Sequence, residues 1–357
     1  MRFVYISNIP FPTRQASAVN IVRMCDGFTK ELGEIFEFVC LSSSSEIRDI
    51  LSPYEASDEL LEQTRVVVSK QGGWRGAIKS ITYTKRSDFV YTRSVEIALL
   101  IALRGNRFAL EVHSPGFERS IFWRLVFSWL LRHQNLVAVV AISKALKDIL
   151  VNQCAADPMR LIVHHDAGDI CPVSDSSTKD GIKVGYVGSL YPGRGIELIF
   201  ALAEKFPDIE FHVVGGGDVP KSVPANIFLH GYVSYSQAKT WRKKMSILLA
   251  PYQVKTLTAA GVDSTSWMSP IKIFEYMSSG KPFICSDLPV LREVLESEHD
   301  CLLVEPENVD AWASALSRLI ASQELSSALA TNAERKVREL YNWDKRAKMI
   351  LEHLGFA

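Results

Sequence analysis

Three observations predict an α/β chain made of two Rossmann-like domains with parallel sheets. The chain has 357 residues, too many for one ordinary core and suited to two domains. Short apolar runs alternate with turns and helical stretches from end to end, the rhythm of strands joined by crossover helices. The rhythm breaks once, at Asp166–Lys183 (DAGDICPVSDSSTKDGIK), which is rich in Asp, Ser, Gly and Pro and lacks an apolar face. That stretch reads as an interdomain linker, with one domain expected over residues 1–168 and the second over 182–341.

In the first half the apolar runs predict strands at Phe3–Ile6, Phe36–Leu41, Phe89–Tyr91, Phe108–Val112, Leu136–Ile142 and Leu161–His164, with helices including Ala18–Leu32 and Ser94–Leu103. The second half restarts with a strand at Ile182–Val187, a loop at Gly188–Gly193, a helix at Gly195–Lys205 and a strand at Ile209–Val214. Further strands are expected at Ile227–Leu229, Ile247–Ala250, Pro282–Cys285 and Cys301–Val304, and Ser322–Leu354 reads as helical throughout. Ligands of open α/β sheets sit beyond the carboxyl ends of the strands, so the site is expected in a cleft lined by the two loop sets.

Composition excludes several classes. Apolar residues are 47% and charged residues 22%, a globular balance that argues against disorder. Basic and acidic residues are equal in number, so the whole-chain field expected of a nucleic-acid binder is absent. The charge is uneven, however. From Arg65 to Lys147, 14 Lys and Arg stand against 4 acidic residues, Asp88, Glu96, Glu111 and Glu118. Such a stretch can face an anionic membrane or a phosphate-bearing acceptor; charges spread over several solvated faces are the other reading. The six cysteines lack metal-knuckle spacing and mostly lie in apolar runs, as buried thiols do in a reducing compartment. The opening MRFVYISNIPFP has the pattern of a first strand, not of a signal peptide. No apolar run approaches the ~18 residues of a membrane span. A cytoplasmic protein is expected, able to lie at the inner face of a membrane.

Three constellations can carry chemistry. The first, GYVGSLYPGRG (Gly185–Gly195), runs from strand through glycine-rich loop to helix. Glycines let the backbone approach a phosphate, and a helix N-terminus offers free N–H groups. Gly188 and Ser189 lie in this loop, and Arg194 can grip a diphosphate bidentately. The dinucleotide spacing G-x-G-x-x-G is absent, and a structural turn with a surface arginine is the competing reading. The second is SPIKIFEYMSSGKP (Ser269–Pro282). Ser269 fits an N-cap, Pro270 the first helical position, and Gly280 and Pro282 a stop, which predicts a helix over Ser269–Ser279. Lys272 and Glu275 share a face of it, beside Ile271, Ile273 and Phe274. A carboxylate one turn below a phosphate site is placed to bond two ribose hydroxyls; a solvated Lys–Glu pair is the alternative. The third is LEVHSPG (Leu110–Gly116), where His113 directly follows a strand and can reach a sugar hydroxyl or carbonyl. A lone histidine is more often structural.

Lesser signals are the loop Asn8–Ser17, whose Ala16 and Ser17 should overhang the cleft, and HGYV (His230–Val233), where backbone groups can meet a base edge. Phe117–His133 mixes aromatic and basic residues, as an interfacial helix does, although a buried crossover helix fits as well. No two aspartates are separated by one residue, and no P-loop, H-E-x-x-H or G-x-S-x-G occurs.

Taken together these stretches resemble the glycosyltransferases of family 4, which have the GT-B fold. The resemblance covers nearly the whole chain and is most specific in VGSLYPGRG (Val187–Gly195) and SPIKIFEYMSSGKPFICSDLP (Ser269–Pro289). It implies two facing Rossmann-like domains with the active site between them, and a closing helix that crosses back to complete the first domain with about residues 342–357. It implies a retaining, metal-independent transfer with no cofactor, from a nucleotide-sugar donor such as a UDP- or GDP-sugar. Glu275 matches the glutamate that holds the ribose. Arg194 takes the basic position at the diphosphate, with Lys272 near a second. His113 matches the histidine near the transferred sugar, and the backbone of Tyr232 and Val233 matches the base-contacting stretch. A glycan or lipid-linked acceptor, in assembly of a cell-surface polysaccharide such as lipopolysaccharide O-antigen or capsule, follows from the resemblance and the basic stretch.

The sequence departs from the family pattern at three places. Trp267 stands where a glutamate commonly contacts the donor sugar, with Asp263 the nearby substitute. Ser189 stands where arginine is common. Ala16-Ser17-Ala18 replaces paired glycines. Two further readings remain open: a non-catalytic nucleotide-sugar-binding protein of this fold, favoured by Trp267, and a nucleotide-sugar epimerase, which needs acid/base groups around the sugar and finds only His113.

Overall fold

The computed structural model describes residues 1–69, 71–116, 120–170 and 181–356. The chain divides into two compact units, Met1–Asp166 with Trp343–Ala357, and Ala167–Asn342. Most of the expected linker, together with Phe117, Arg119 and Cys171, lies outside the described residues.

The first unit runs β1 (Phe3–Phe11), α1 (Ala16–Leu32), β2 (Phe36–Ser42), α2 (Ile47–Leu51), α3 (Asp58–Glu62), β3 (Thr64–Val68), α4 (Gly73–Ile81), β4 (Phe89–Thr92), α5 (Val95–Arg104), β5 (Phe108–Val112), α6 (Ile121–Leu131), β6 (Leu136–Ala141), α7 (Lys144–Cys154) and β7 (Leu161–Val163). Its seven strands form a sheet in the order β3-β2-β1-β4-β5-β6-β7, with every pair parallel. Strands β2, β4 and β5 are buried along their whole length, as strands covered on both faces must be. Helix boundaries follow local chemistry. The Ser94 side chain accepts the Ile97 N–H to start α5, and Gly105, at φ 88°, ends it.

Two expectations change here. β1 does not stop at Ile6: after a register shift, Pro10 and Phe11 pair with Leu41 and Ser42. Ala16 and Ser17 are consequently the first residues of α1 and not part of a loop. The strand β3, TRVVV, was not anticipated. It pairs only with β2 at the sheet edge and buries only Thr64 and Val67, so it lacks the continuous buried run of the inner strands.

The second unit runs β8 (Lys183–Val187), α8 (Ile196–Lys205), β9 (Glu210–Val214), β10 (Ile227–Gly231), α9 (Tyr235–Lys244), β11 (Ile247–Ala250), α10 (Ile271–Met277), β12 (Phe283–Ser286), β13 (Leu302–Val304), α11 (Val309–Ala321) and α12 (Gln323–Leu340). Its sheet order is β10-β9-β8-β11-β12-β13, again all parallel. Trp312 of α11 is fully buried in the core beneath this sheet, among Leu198, Leu202, Ile284 and Leu302. In both sheets the winding direction reverses once, between β1 and β4 and between β8 and β11. Those two points are where an open parallel sheet leaves a crevice.

The closing stretch is not one helix. It breaks at Tyr341 and Asn342, and α13 (Trp343–Leu354) then belongs to the first unit. The Tyr341 carbonyl is taken by the Gly168 N–H at 2.9 Å and Asn342 Nδ2 donates to the Arg338 carbonyl at 2.9 Å, so the break is hydrogen-bonded on both sides. α13 lies against α1, where a Cβ on Gly27 would come within 2.7 Å of Ala347 Cβ and 3.1 Å of the Trp343 carbonyl. A glycine inside a helix costs ~0.5–1 kcal/mol relative to alanine, and this close approach is what it permits. Gly27→Ile should destabilise the protein by ~1–3 kcal/mol through overpacking, seen as a lower Tm, whereas Gly181→Ala, with open space around it and an ordinary backbone, should shift Tm far less.

Candidate functional site

Functional residues gather at the switch point of each sheet, and the two sites are described one unit at a time. In the second unit, β8 ends in Gly188 and Ser189, and the loop leads through Arg194 to Gly195, which caps α8. Gly195 has φ 76°, and a Cβ there would lie 2.1 Å from the Pro251 carbonyl just after β11, so only glycine lets the two loops meet. Tyr186 of β8 donates its hydroxyl to the Ser189 carbonyl at 2.6 Å and offers its ring as a floor. Lys272 Nζ sits over that ring, 3.7 Å from its centroid, and 5.4 Å from the ring of Tyr252. Arg194 covers the same Tyr252 ring at 5.1 Å.

This places Arg194 and Lys272 together, with Gly188 making the room. A Cβ on Gly188 would stand 2.4 Å from Lys272 Cε and 2.7 Å from Nζ. Burial and then the Arg194 charge hold the Lys272 ammonium well below its ordinary pKa. No carboxylate pairs with either cation at ion-pair distance among the described residues, and Arg194 Nε is buried without a hydrogen-bond partner. Two crowded basic side chains on aromatic rings, neither of them in an ion pair, can take an anion with more than one charge.

Several predicted details are corrected. Pro270, not Ser269, is the N-cap of α10, and Ile271 is its first residue; the helix ends at Met277 and not at Ser279. Pro270 holds an extended backbone and has no cap hydrogen bond of its own. Lys272 and Glu275 do not form a solvated surface pair. Glu275 is engaged instead by Arg242 of α9, whose Nη1 donates to its carboxylate at 3.2 Å, both side chains being largely buried. Arg242 had no signal in the sequence, because its partner lies 33 residues away. Tyr232 and Val233 follow β10, with Tyr232 exposed and Val233 half-buried. Asp263 gives one carboxylate oxygen to the Thr256 N–H, the Thr265 N–H and the Thr265 hydroxyl, at 3.3, 3.0 and 2.6 Å. That oxygen therefore ties a loop together next to the half-buried Trp267.

In the first unit a crevice of about 360 Å³ opens between the ends of β1, β4 and β5, lined by residues that include Asn8, Arg93, Glu96, Glu111 and His113. His113 Nε2 bonds the Glu111 carboxylate at 2.6 Å. Glu111 is fully buried and also receives the Tyr91 hydroxyl and, at 3.3 Å, Nη1 of Arg346 from α13. Arg93 Nη1 donates to Asn20 Oδ1 at 2.8 Å, and Asn20 donates to Asp166 at 2.5 Å. Burial pushes Asp166 up to about 6. The sequence signalled His113 alone. Glu111, two residues earlier on the same strand face, was legible in principle; Arg346 was not. Ala16 and Ser17 begin α1 and do not line this crevice.

The five described cysteines are free and buried, with no paired thiols among them. Among the described residues no group of three or more His, Cys, Asp or Glu is arranged to hold a metal ion.

The two Rossmann-like units with parallel sheets define the fold class, GT-B. Residues 181–322, within the second unit, match the family described as glycosyl transferases group 1. The chain is 22% identical over 300 residues to the UDP-Gal:alpha-D-GlcNAc-diphosphoundecaprenol alpha-1,3-galactosyltransferase of Escherichia coli, covering 74% of each protein. It is 22% identical over 241 residues to the phosphatidyl-myo-inositol mannosyltransferase of Mycolicibacterium smegmatis, covering 63% of this chain and 59% of that one. Anabaena HepE in complex with UDP superposes with a TM-score of 0.76 at 14% identity, over 100% of both chains.

Gly188→Ala should swing Lys272 aside at little cost to the fold, because the clash is with the end of a flexible side chain. Calorimetric affinity for inorganic pyrophosphate should fall at least ~10-fold, the worth of one charge-assisted contact, with Tm nearly unchanged. Unchanged affinity would remove Lys272 from the anion site.

Proposed function

We propose that the protein moves a sugar from a UDP- or GDP-sugar to a glycan or lipid-linked acceptor, with retention of configuration and without a metal ion or other cofactor, in assembly of a cell-surface polysaccharide such as lipopolysaccharide O-antigen or capsule. The observation that carries this reading is the uncompensated pair Arg194 and Lys272 at the switch point of a sheet whose family transfers sugars. Breaking a sugar–phosphate bond leaves a diphosphate, and fixed cations aimed at it stabilise the charge as it develops. Glu275, braced by Arg242, holds the ribose; Gly188, Ser189, Ser269, Pro270 and Ile271 supply backbone around the phosphates, and Tyr232 and Val233 meet the base.

His113 contacts the transferred sugar. Glu111, the carboxylate bonded to His113, is taken up by Arg346, Tyr91 and His113 and is not placed as a nucleophile. The transfer therefore runs on one face of the sugar. The anomeric carbon–phosphate oxygen bond breaks, the anomeric carbon–acceptor oxygen bond forms, and the acceptor proton passes to the departing phosphate oxygen. The Escherichia coli and Mycolicibacterium smegmatis relatives are named for lipid-bearing acceptors, which supports a lipid-linked acceptor here.

A thermal-shift screen of nucleoside diphosphates and nucleotide sugars, with chelator present, tests the donor site. One nucleotide at 100 times its Kd should stabilise the wild type by ~2.7 kcal/mol, and Glu275→Ala should lose the shift. Arg194→Ala should cut transfer by at least ~10²-fold. A metal requirement, or no shift with any nucleotide, would overturn the reading and favour a non-catalytic protein.

A membrane-facing surface supports the acceptor class. Helices α4, α5 and α6 are neighbours on one face of the first sheet. α6 buries Phe127, Leu130 and Leu131 but exposes Ile121, Phe122, Leu125 and Trp129, so one helix is both a core element and an apolar surface. Trp74 and Ile78 of α4 extend the patch, Trp74 stacking on Trp123 at 5.8 Å. Arg75, Lys79, Arg124 and Arg132 are exposed around it. An apolar patch ringed by cations fits an anionic bilayer, and we place the protein on the cytoplasmic side of one. Among the described residues no helix is long and apolar enough to cross a membrane. The wild type should sediment with phosphatidylglycerol vesicles and much less with phosphatidylcholine, and Phe122→Ser with Leu125→Ser should weaken that binding at least ~10-fold. Equal binding to both vesicles would remove the membrane role.

A further inference from the structure

Glu111 and Arg346 are both charged, both buried, and unused by the mechanism above. Arg346 is held in place by its own donors, Nε to the His165 carbonyl at 2.7 Å and Nη2 to the His164 carbonyl at 3.2 Å. Its remaining Nη1 reaches Glu111 Oε2, the same oxygen that takes the Tyr91 hydroxyl. That leaves Oε1 to His113 Nε2, with Arg93 Nε 4.0 Å away. His113 makes no other hydrogen bond among the described residues.

We infer that Glu111, fixed by Arg346, is a positioning residue that holds His113 as its Nε2–H tautomer, so that Nδ1 meets the bound sugar as a hydrogen-bond acceptor and selects a hydroxyl at that position. The chain of reasoning is short. A carboxylate that receives Arg346 and Tyr91 is ionised and can only accept. The ring nitrogen facing it must therefore carry the proton. A neutral ring has one such proton, so the other nitrogen presents its lone pair. Although burial opposes ionisation of Glu111, Arg346 and then His113 keep it well below the usual carboxylate range. Burial and the nearby Arg93 charge push His113 down to about 4, so the ring is neutral at physiological pH. Groups that only accept, such as a carboxylate, an ether or a fluorine, gain nothing at Nδ1. A hydroxyl does. The last helix of the chain thereby sets which face of a histidine the substrate meets.

The hydroxyl specificity rests on the proposed transferase reading, whereas the tautomer is a property of the free protein. The test uses the full chain with 15N-labelled histidine and no ligand, read by long-range proton–nitrogen correlation, with the His113 signals identified by their loss in His113→Asn. At pH 7 Nε2 should be protonated and Nδ1 bare, unchanged between pH 8 and pH 5. Glu111→Gln, whose amide can also donate, should lose the single tautomer. If that variant does not fold, Glu111→Gln with Arg346→Met removes both buried charges together and should show the same loss. In hydrolysis of the nucleotide sugar found by thermal shift, Glu111→Gln should lower kcat ~10-fold, the worth of one hydrogen bond, with the nucleotide Kd unchanged. An Nδ1–H ring, a doubly protonated ring at pH 7, or a single tautomer retained without Glu111 would overturn the inference. Because the spectrum is recorded without substrate, failure of the transferase reading alone would leave it intact.

Discussion

Arg346 and Glu111 meet where both side chains are almost completely buried. An ion moved into such surroundings loses several kcal/mol of hydration, and only a partner together with further hydrogen bonds offsets the loss. Both conditions hold: the guanidinium is spread over two backbone carbonyls and one carboxylate, and the carboxylate takes a phenol and an imidazole. Removing either member would strand the other charge, typically a loss of ~3–5 kcal/mol. The pair therefore obliges the last helix to return to the first sheet. It explains why the chain bends at Tyr341 and Asn342 rather than continuing α12, and why Gly27 must remain without a side chain where α13 lies on α1.

The second unit handles charge in the opposite way. Arg194 and Lys272 lie over the rings of Tyr252 and Tyr186 with no carboxylate at ion-pair distance among the described residues, and burial followed by the Arg194 charge disfavours the Lys272 ammonium. Such crowding disfavours the empty site and is relieved by an anion. One unit thus holds its charges mutually satisfied, where they fix geometry. The other holds cations unsatisfied, where they are available to a ligand. Both arrangements occupy the same topological place, the point at which a parallel sheet reverses its winding and leaves the strand ends uncovered.

The 251–267 segment is tied together by a carboxylate of its own. Asp263 is the carboxylate nearest to Trp267 in the sequence. In the structure one oxygen of Asp263 is committed to Thr256 and Thr265. The loop it steadies is the one that Gly193 and Gly195 touch, since a Cβ on Gly193 would lie 1.9 Å from the Lys255 carbonyl. Asp263 therefore helps to fix the loop that Gly193 and Gly195 approach.

The sequence by itself determined the two parallel sheets, the inner strands and the two motifs around Arg194 and Lys272, because burial on both faces writes continuous apolar runs and phosphate-binding turns demand glycine at set places. It did not reveal β3, which is only partly buried at a sheet edge, nor the continuation of β1 through Pro10 and Phe11, which looks like a loop until its pairing with β2 is known. Tertiary structure alone decided the partners of charged side chains. Arg242 with Glu275 and Arg346 with Glu111 are joined across 33 and 235 residues. An ion pair has no period and needs no neighbour in sequence, only proximity in the fold, so the residues that brace Glu275 and orient His113 became visible only once the chain was folded.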